Sequence, residues 1–258
     1  MKAKELSILR KKLEERAFDW GVRFFGVADL SPAREFISGQ GGMFLADFPR
    51  AVSMGISLHD AIVDQLPNHK ELPVARTYDY LYSTVNASLN RIALRLSDLI
   101  NLQGYQTLLI PASDTLNKEK SFGLFSHKLA ANLAGLGWIG PSCLLITPEA
   151  GPRVRWATVL TDALLLAGSP VPNACGDCQK CVDACPPRAF TGRLFDPSEP
   201  REVRFDVERC KDYRTHLQTK VTGVRVCGMC VYACPFGKSI GKINRNYDIG
   251  SFPAGCNG

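Results

Sequence analysis

The sequence predicts an α+β sheet domain followed by a small module built around cysteines. Three observations carry that prediction. Residues 1–165 mix helical and strand periodicities in irregular order. A Pro- and Gly-rich stretch, 167-AGSPVPNACGD-177, interrupts the chain, and eight of the ten cysteines fall between 175 and 234. Irregular interspersion of strands and helices fits an α+β sheet rather than a regularly alternating parallel one. The division is expected near 168, giving domains 1–168 and 169–258.

The elements follow from periodicity. Leu6, Leu9, Leu13, Ala17 and Trp20 share one face of a helix over 4–20. GVRFFGVADL (21–30) and AVSMGISL (51–58) read as strands, separated by a Gly-rich turn at 39–42. From Tyr80 to Gln103 the residues Val85, Leu89, Ile92, Leu96, Leu99 and Ile100 keep helical spacing, and Gly104 supplies a stop. QTLLIPA (106–112) is a strand. Ser126 caps a helix running to about Leu133, and CLLITP (143–148) and VRWATVLTD (154–162) read as strands. Beyond 177 the chain is expected to form short turns around cysteines.

In 258 residues, 45% are hydrophobic and 22% charged, as in an ordinary globular protein with length for a real core. No apolar run reaches membrane-spanning length and the N-terminus shows no leader pattern, so a cytoplasmic protein without membrane contact is expected. Thiols stay reduced there, so ten cysteines point to metal or redox chemistry rather than disulfides. The formal charge of +6 treats every cysteine as neutral. Eight thiolates around two cubane cores of about +2 each lower the excess to about +2. Between 201 and 245 ten Lys/Arg face four Asp/Glu. Cluster charge compensation accounts for that excess as well as a phosphate-binding face does, so nucleic acid is not demanded.

The segment 175-CGDCQKCVDACP-186 is a complete C-x-x-C-x-x-C-x-x-x-C-P run. Its spacing lets three thiolates wrap one four-iron cluster while the fourth reaches the other. Pro186 then turns the chain away. A zinc site wants two pairs and four ligands, not a third cysteine two residues further on. The second run, 224-VRVCGMCVYACP-235, has Val224 where its first cysteine should stand. The crossing rule assigns Cys234 to the first cluster with Cys175, Cys178 and Cys181. It leaves Cys185, Cys227 and Cys230 for the second, one ligand short. Cys210 is the natural fourth. Cys143 reads as a small core residue, and Cys256 receives no role.

The segment 135-GLGWIG-140 satisfies G-x-G-x-x-G, but a dinucleotide fingerprint must follow a strand and open a helix. Here a helix precedes and a strand follows, and no acidic residue stands about twenty positions on. The glycines instead let backbone pass close to a ligand or a packed element. ANLAGLGWIGPSCLLITPEAG, followed within thirty residues by the cysteine run, resembles the epoxyqueuosine reductase family. More distantly it is similar to reductive dehalogenases and their cobalamin-processing relatives. The resemblance covers roughly residues 5–240, and the displaced cysteine of that family agrees with Cys210. It implies a nitroreductase-like (cobalamin-processing-type) sheet domain holding cobalamin, followed by a ferredoxin-like domain whose two 4Fe-4S clusters feed it electrons. Arg76, Gly135, Gly137, Trp138, Gly140 and Ser142 are the cofactor-binding residues it implies.

The departures matter as much. The family's Asp-Thr-x-Pro-x-x-Glu-Arg segment reads 121-SFGLFSHK-128 here, so Ser121 replaces the Asp that would donate a proton. A serine is no general acid near neutral pH. His127 is the nearby residue with a suitable pKa, set against a plain helix-start histidine. Tyr80, in 76-RTYDYLYS-83, partly echoes an Arg-Asp-Tyr-His segment and completes the catalytic candidates. The chain ends 24 residues after Cys234, so the helical-repeat tail that many of these reductases use on tRNA is not expected. The expected function is an iron–sulfur reductase fed by a low-potential donor such as ferredoxin or flavodoxin and acting on a small molecule or a corrinoid. Epoxyqueuosine reduction on tRNA and pure electron transfer to a partner are the alternatives.

Overall fold

The computed structural model describes residues 2–113, 115–117 and 121–238. It divides into two compact units. The first comprises 1–57, 83–137 and 155–171, and the second 58–82, 138–154 and 172–258. The last boundary falls at 171/172. The excursions 58–82 and 138–154 are what a single cut does not foresee. Among the described residues no helix is long and apolar enough to cross a membrane.

In the first unit, α1 (Lys2–Asp19) buries Leu9, Leu13 and Ala17 as its spacing requires. Trp20 lies under the Arg95 guanidinium, 4.2 Å from the ring centroid. The strand β1 (Phe24–Asp29) leads to α2 (Arg34–Gly41) and α3 (Met43–Ala46). The expected turn at 39–42 is thus mostly helix: only Gly42, at φ +98°, breaks it. Next come β2 (Arg50–Ser57) and, in the second unit, α4 (Asp60–Val63). The long helix α5 (Leu72–Asn101) begins eight positions before the expected Tyr80. Pro73 looks like a breaker in sequence but is tolerated in a first turn, where no intrahelical N–H is needed. The helix ends where Gly104 takes φ +82°.

After β3 (Thr107–Ile110), the helix α6 (His127–Leu133) starts at Ser126, whose hydroxyl accepts from the Leu129 N–H at 3.3 Å. Two short strands, β4 (Trp138–Ile139) and β5 (Leu145–Ile146), pair antiparallel, and β6 (Val154–Thr161) follows. The expected strand at 143–148 is shorter because Cys143, at φ +55°, stands in a left-handed turn before it. The main sheet has the order β1-β2-β6-β3, with β1/β2 and β3/β6 antiparallel. Its core joins Ala28, Leu30, Ala51, Ile110 and Leu160 to Ile37, Phe125, Ala130 and Ala134. Gly26 is where α6 comes closest: a Cβ there would lie 3.0 Å from that of Ala134.

The cysteine segment carries α7 (Lys180–Asp183), α8 (Val207–His216) and α9 (Met229–Tyr232). The ten-residue α8 was not anticipated among turns. Asp206 caps it by accepting from the Arg209 N–H at 3.0 Å. Cys256 lies outside the described residues.

Candidate metal centre

Four thiols, of Cys175, Cys178, Cys181 and Cys234, line one small cavity with Ser142, Ile146 and Phe236. Each arrives by a different route. Asn173 Oδ1 accepts from the Cys175 N–H at 2.9 Å, and the Cys178 N–H closes a turn onto the Cys175 carbonyl. Cys181 rides on α7, and Cys234 follows α9. Burial pushes the Cys234 thiol up to about 12, with the Phe236 and Gly237 N–H groups opposing and Cys175 and Cys181 adding to the rise. Burial also raises Cys181, against donation from Ser142.

The remaining thiols form a second set. Burial pushes Cys227 up to about 11; the Met229 N–H opposes, and the charges of Cys210 and Cys185 add to the rise. Cys230 is raised further by burial, then by Cys227, Cys210 and Cys185, with Cys181 last. Cys210 is raised by burial and eased by Arg214. Cys185 is raised by burial and eased by N–H donors, among them that of Ala189 at 3.3 Å from the sulfur. Electrostatic proximity therefore sorts eight thiols into 175/178/181/234 and 185/210/227/230. Val224 is tied by its N–H and carbonyl to the Thr222 hydroxyl, at 3.2 and 3.1 Å. Among the described residues no three His, Cys, Asp or Glu side chains close on a single-ion point. The first four thiols surround a space instead. Buried thiols crowded in this way ionise when a cationic core compensates them.

The 138–142 turn lies against the first set. The Trp138 indole N–H donates to Cys175 Sγ at 3.1 Å, and the ring meets Phe236 edge-on at 5.0 Å. A Cβ on Gly140 would stand 3.3 Å from Cys175 Sγ and 3.0 Å from Ile146 Cγ1, so only glycine brings the backbone this close. Ser142 is buried, and its N–H and hydroxyl both act on the Cys181 thiol, although the hydroxyl completes no hydrogen bond of full geometry. Of the residues nominated for a corrinoid, Trp138, Gly140 and Ser142 thus face thiols. Gly135, at φ +79°, terminates α6: the Leu136 N–H returns to the Ala131 carbonyl at 2.9 Å. Gly137, at φ +157°, offers its carbonyl to the Asn132 side chain, and Arg76 is exposed on α5. Trp138, Gly140 and Ser142 thus lie at the thiols, and Gly135 at a helix end.

The catalytic candidates separate as well. The ring of His127 is held at both nitrogens. Nε2 donates to the Pro111 carbonyl at 2.9 Å, so Nδ1 accepts from the Thr158 hydroxyl at 2.8 Å. Burial lowers its pKa to about 4, against the Pro111 bond, with Arg155 adding to the fall. A neutral imidazole so tied has no proton to give near pH 7, and the geometry favours the structural role. Ser121 takes φ +49° beside the Asn117–Phe122 bridge. Tyr80 is 75% exposed, whereas Tyr78 is buried.

Sequence reasoning missed the donors to the thiols, since nothing in a Trp or Ser thirty or more residues before a cysteine run marks it. It also missed Arg153. That guanidinium is fully buried and bonded to Asp60 at 2.7 Å and Asp64 at 2.6 Å. Its Nε would lie 2.7 Å from a Cβ on Gly237, three residues beyond Cys234.

A mixed α+β sheet unit and a cysteine unit of this design define an iron–sulfur protein. The model of the 4Fe-4S double cluster binding domain matches residues 174–237. The epoxyqueuosine reductase of Gloeobacter violaceus is 33% identical over 144 residues, 50% of this chain and 41% of that protein. That of Bacillus subtilis is 30% identical over 128 residues, 45% of this chain and 30% of its own. The chain thus spans less than half the length of these relatives. Among solved structures, a catabolic reductive dehalogenase in complex with 3-bromo-4-hydroxybenzoic acid matches with TM-score 0.64 and 21% identity, over 87% of this chain and 31% of that one. An epoxyqueuosine reductase with an epoxyqueuosine-modified tRNA-Tyr stem loop matches with TM-score 0.59 and 18% identity, over 90% and 66%. The chain is thus similar in sequence to epoxyqueuosine reductases over about half its length, and in fold to these reductases and to reductive dehalogenases.

Proposed function

We propose that this chain is an iron–sulfur reductase holding two four-iron clusters. One is bound by Cys175, Cys178, Cys181 and Cys234, the other by Cys185, Cys210, Cys227 and Cys230. The sorting of eight thiols into these two sets carries the reading, with the first set around a cavity rather than a point. Such clusters, when bound, relay single electrons at potentials the surroundings set. The chain's own residues fix the sulfurs, exclude water from the first set and supply N–H donors to both. Electrons are expected from a low-potential donor of the ferredoxin or flavodoxin kind.

Cobalamin as acceptor, in a nitroreductase-like sheet domain, is supported by the likeness to a reductive dehalogenase whose structure suggests a mechanism for B12-dependent dehalogenation. It is not supported by the 138–142 turn, whose groups serve thiols. A small organic molecule or a corrinoid is the proposed substrate, because Ser121 is no acid and His127 is neutral. The second reading, reduction of epoxyqueuosine in tRNA, is favoured by the names of the curated relatives and requires a proton from another group.

Anaerobic reconstitution with iron and sulfide tests the first claim: about eight irons per chain are expected from two cubanes. Near four sinks the two-cluster reading, and zinc in place of iron sinks all of it. Cobalt uptake from cobalamin tests the acceptor separately. Binding of tRNA that falls steeply with salt would decide for the second reading.

A further inference from the structure

The indole N–H of Trp138 is the starting point. Trp138 is 2% exposed, and a buried indole needs an acceptor for its single donor. The acceptor here is Cys175 Sγ at 3.1 Å. A neutral thiol is a weak acceptor, whereas a thiolate is a strong one, and hydrogen bonds to ionised partners are about twice as strong as neutral ones. The donor is therefore well placed only when the sulfur carries charge. Ser142 lines the same cavity as Cys181, and its buried hydroxyl completes no hydrogen bond within the protein. Gly140 lets the backbone between them approach Cys175. Three residues of one turn thus address two sulfurs of one set. No comparable turn reaches the second set among the described residues: its donors are the N–H groups after Cys185 and Cys227 and the Arg214 side chain.

We infer that the 138–142 turn sets the reduction potential of the cluster held by Cys175, Cys178, Cys181 and Cys234, with Trp138 as the positioning residue that donates to Cys175. This rests on the two-cluster reading above. Reduction adds one electron to a core already surrounded by thiolates, and N–H donors at the sulfurs stabilise the extra negative charge. Removing a donor disfavours the reduced form, so the potential falls.

The test is a redox titration of the anaerobically reconstituted full chain, followed by electron paramagnetic resonance, for wild type, Trp138→Phe and Ser142→Ala. Phenylalanine keeps an aromatic ring against Phe236 and removes only the donor and part of the ring. In Trp138→Phe one signal should become about tenfold harder to reduce, a fall of about 59 mV for a one-electron couple. The other signal should stay in place. The wild-type reduced cluster should also show an exchangeable proton coupled to it that the variant lacks. Ser142→Ala should move the same signal in the same direction by less, which keeps the inference testable if Trp138→Phe loads poorly. Two signals unmoved at full iron content in both variants overturn the inference while leaving the two clusters standing. Wild type that loads only four irons overturns the reading beneath it, and the inference with it.

Discussion

The two cysteine runs solve one problem in different ways. The first, 175–186, keeps three of its cysteines in one set and sends Cys185 to the other. The second keeps Cys227 and Cys230, sends Cys234 across, and has Val224 where its first ligand should be. The fourth thiol of its set, Cys210, comes from α8, seventeen residues earlier in the chain. On the proposed assignment, the difference teaches that a cluster site requires sulfurs at places, not in a run. A ligand is free to leave the run if another element is held firmly enough to deliver one. Here the Asp206 cap and the bond between Tyr213 and His69 hold that element.

The largest effect should come from removing the displaced ligand. Cys210→Ala should lose one of two cluster signals and about four of about eight irons, as loss of one cubane requires. Cys178→Ala should remove the other signal. If both signals persist in Cys210→Ala, the delivered-ligand comparison breaks and Cys210 is a free thiol.

The first set depends on a different support. Arg153 is buried, bonded to Asp60 and Asp64, and lies beneath Gly237 in the turn after Cys234. Removing one partner of a buried pair costs 3–5 kcal/mol when a buried charge is left behind. Here the carboxylates left behind are 39% and 52% exposed and regain water, so Arg153→Leu should cost less, about 2–3 kcal/mol. Denaturant midpoints of the reconstituted chain measure it, and the first cluster should be lost before the second. Equal loss of both would make Arg153 a general support.

The sheet unit contributes a pH effect instead of a ligand. The folded His127 pKa of about 4 lies below the ordinary histidine value of 6.5. The unfolded chain therefore binds the extra proton first as pH falls. Stability from this group is full above about 6.5 and drains away between there and about 4. Because the residue is only half-buried, a loss of about 2 kcal/mol is expected rather than the full shift. His127→Gln should flatten this part of the stability profile without changing either cluster signal. An unchanged slope would mean that His127 titrates in the fold as it does in the unfolded chain, near 6.5, which would reopen it as a proton donor.

How much of this was legible depended on whether the signal is local. The spacing of Cys175 to Cys185 announces its chemistry within eleven residues, and Ser126 marks the start of α6 because a cap acts across three. Helices α1 and α5 were visible because their buried faces repeat, although the spacing read from Tyr80 left out the first turns of α5. The roles of Trp138 and Ser142 were hidden, since their acceptors lie about forty residues away in sequence. GLGWIG drew attention for a nucleotide pattern it does not serve. Its first glycine terminates a helix and its last admits the chain to a sulfur. His127 looked like an acid because a reference pKa is a property of the residue, whereas its bonds to Pro111 and Thr158 belong to the fold.

The smallest effect expected sharpens the comparison most. His69 is buried, and its Nδ1 donates to the Leu66 carbonyl at 2.9 Å, so its Nε2 accepts from the Tyr213 hydroxyl at 2.9 Å. Tyr213 stands one helical turn beyond Cys210, so this bond fixes the rotation of the helix that presents the thiol. Tyr213→Phe keeps the ring and its edge contact with His69 but leaves a buried nitrogen without a donor, at a cost of about 1 kcal/mol. Spread over the whole molecule that is minor. Concentrated on α8, it should speed chelator extraction of iron from the second cluster about fivefold and leave the first unchanged. Extraction accelerated equally at both clusters would show that α8 is held by general packing, and that the second set needs no dedicated anchor for its displaced ligand.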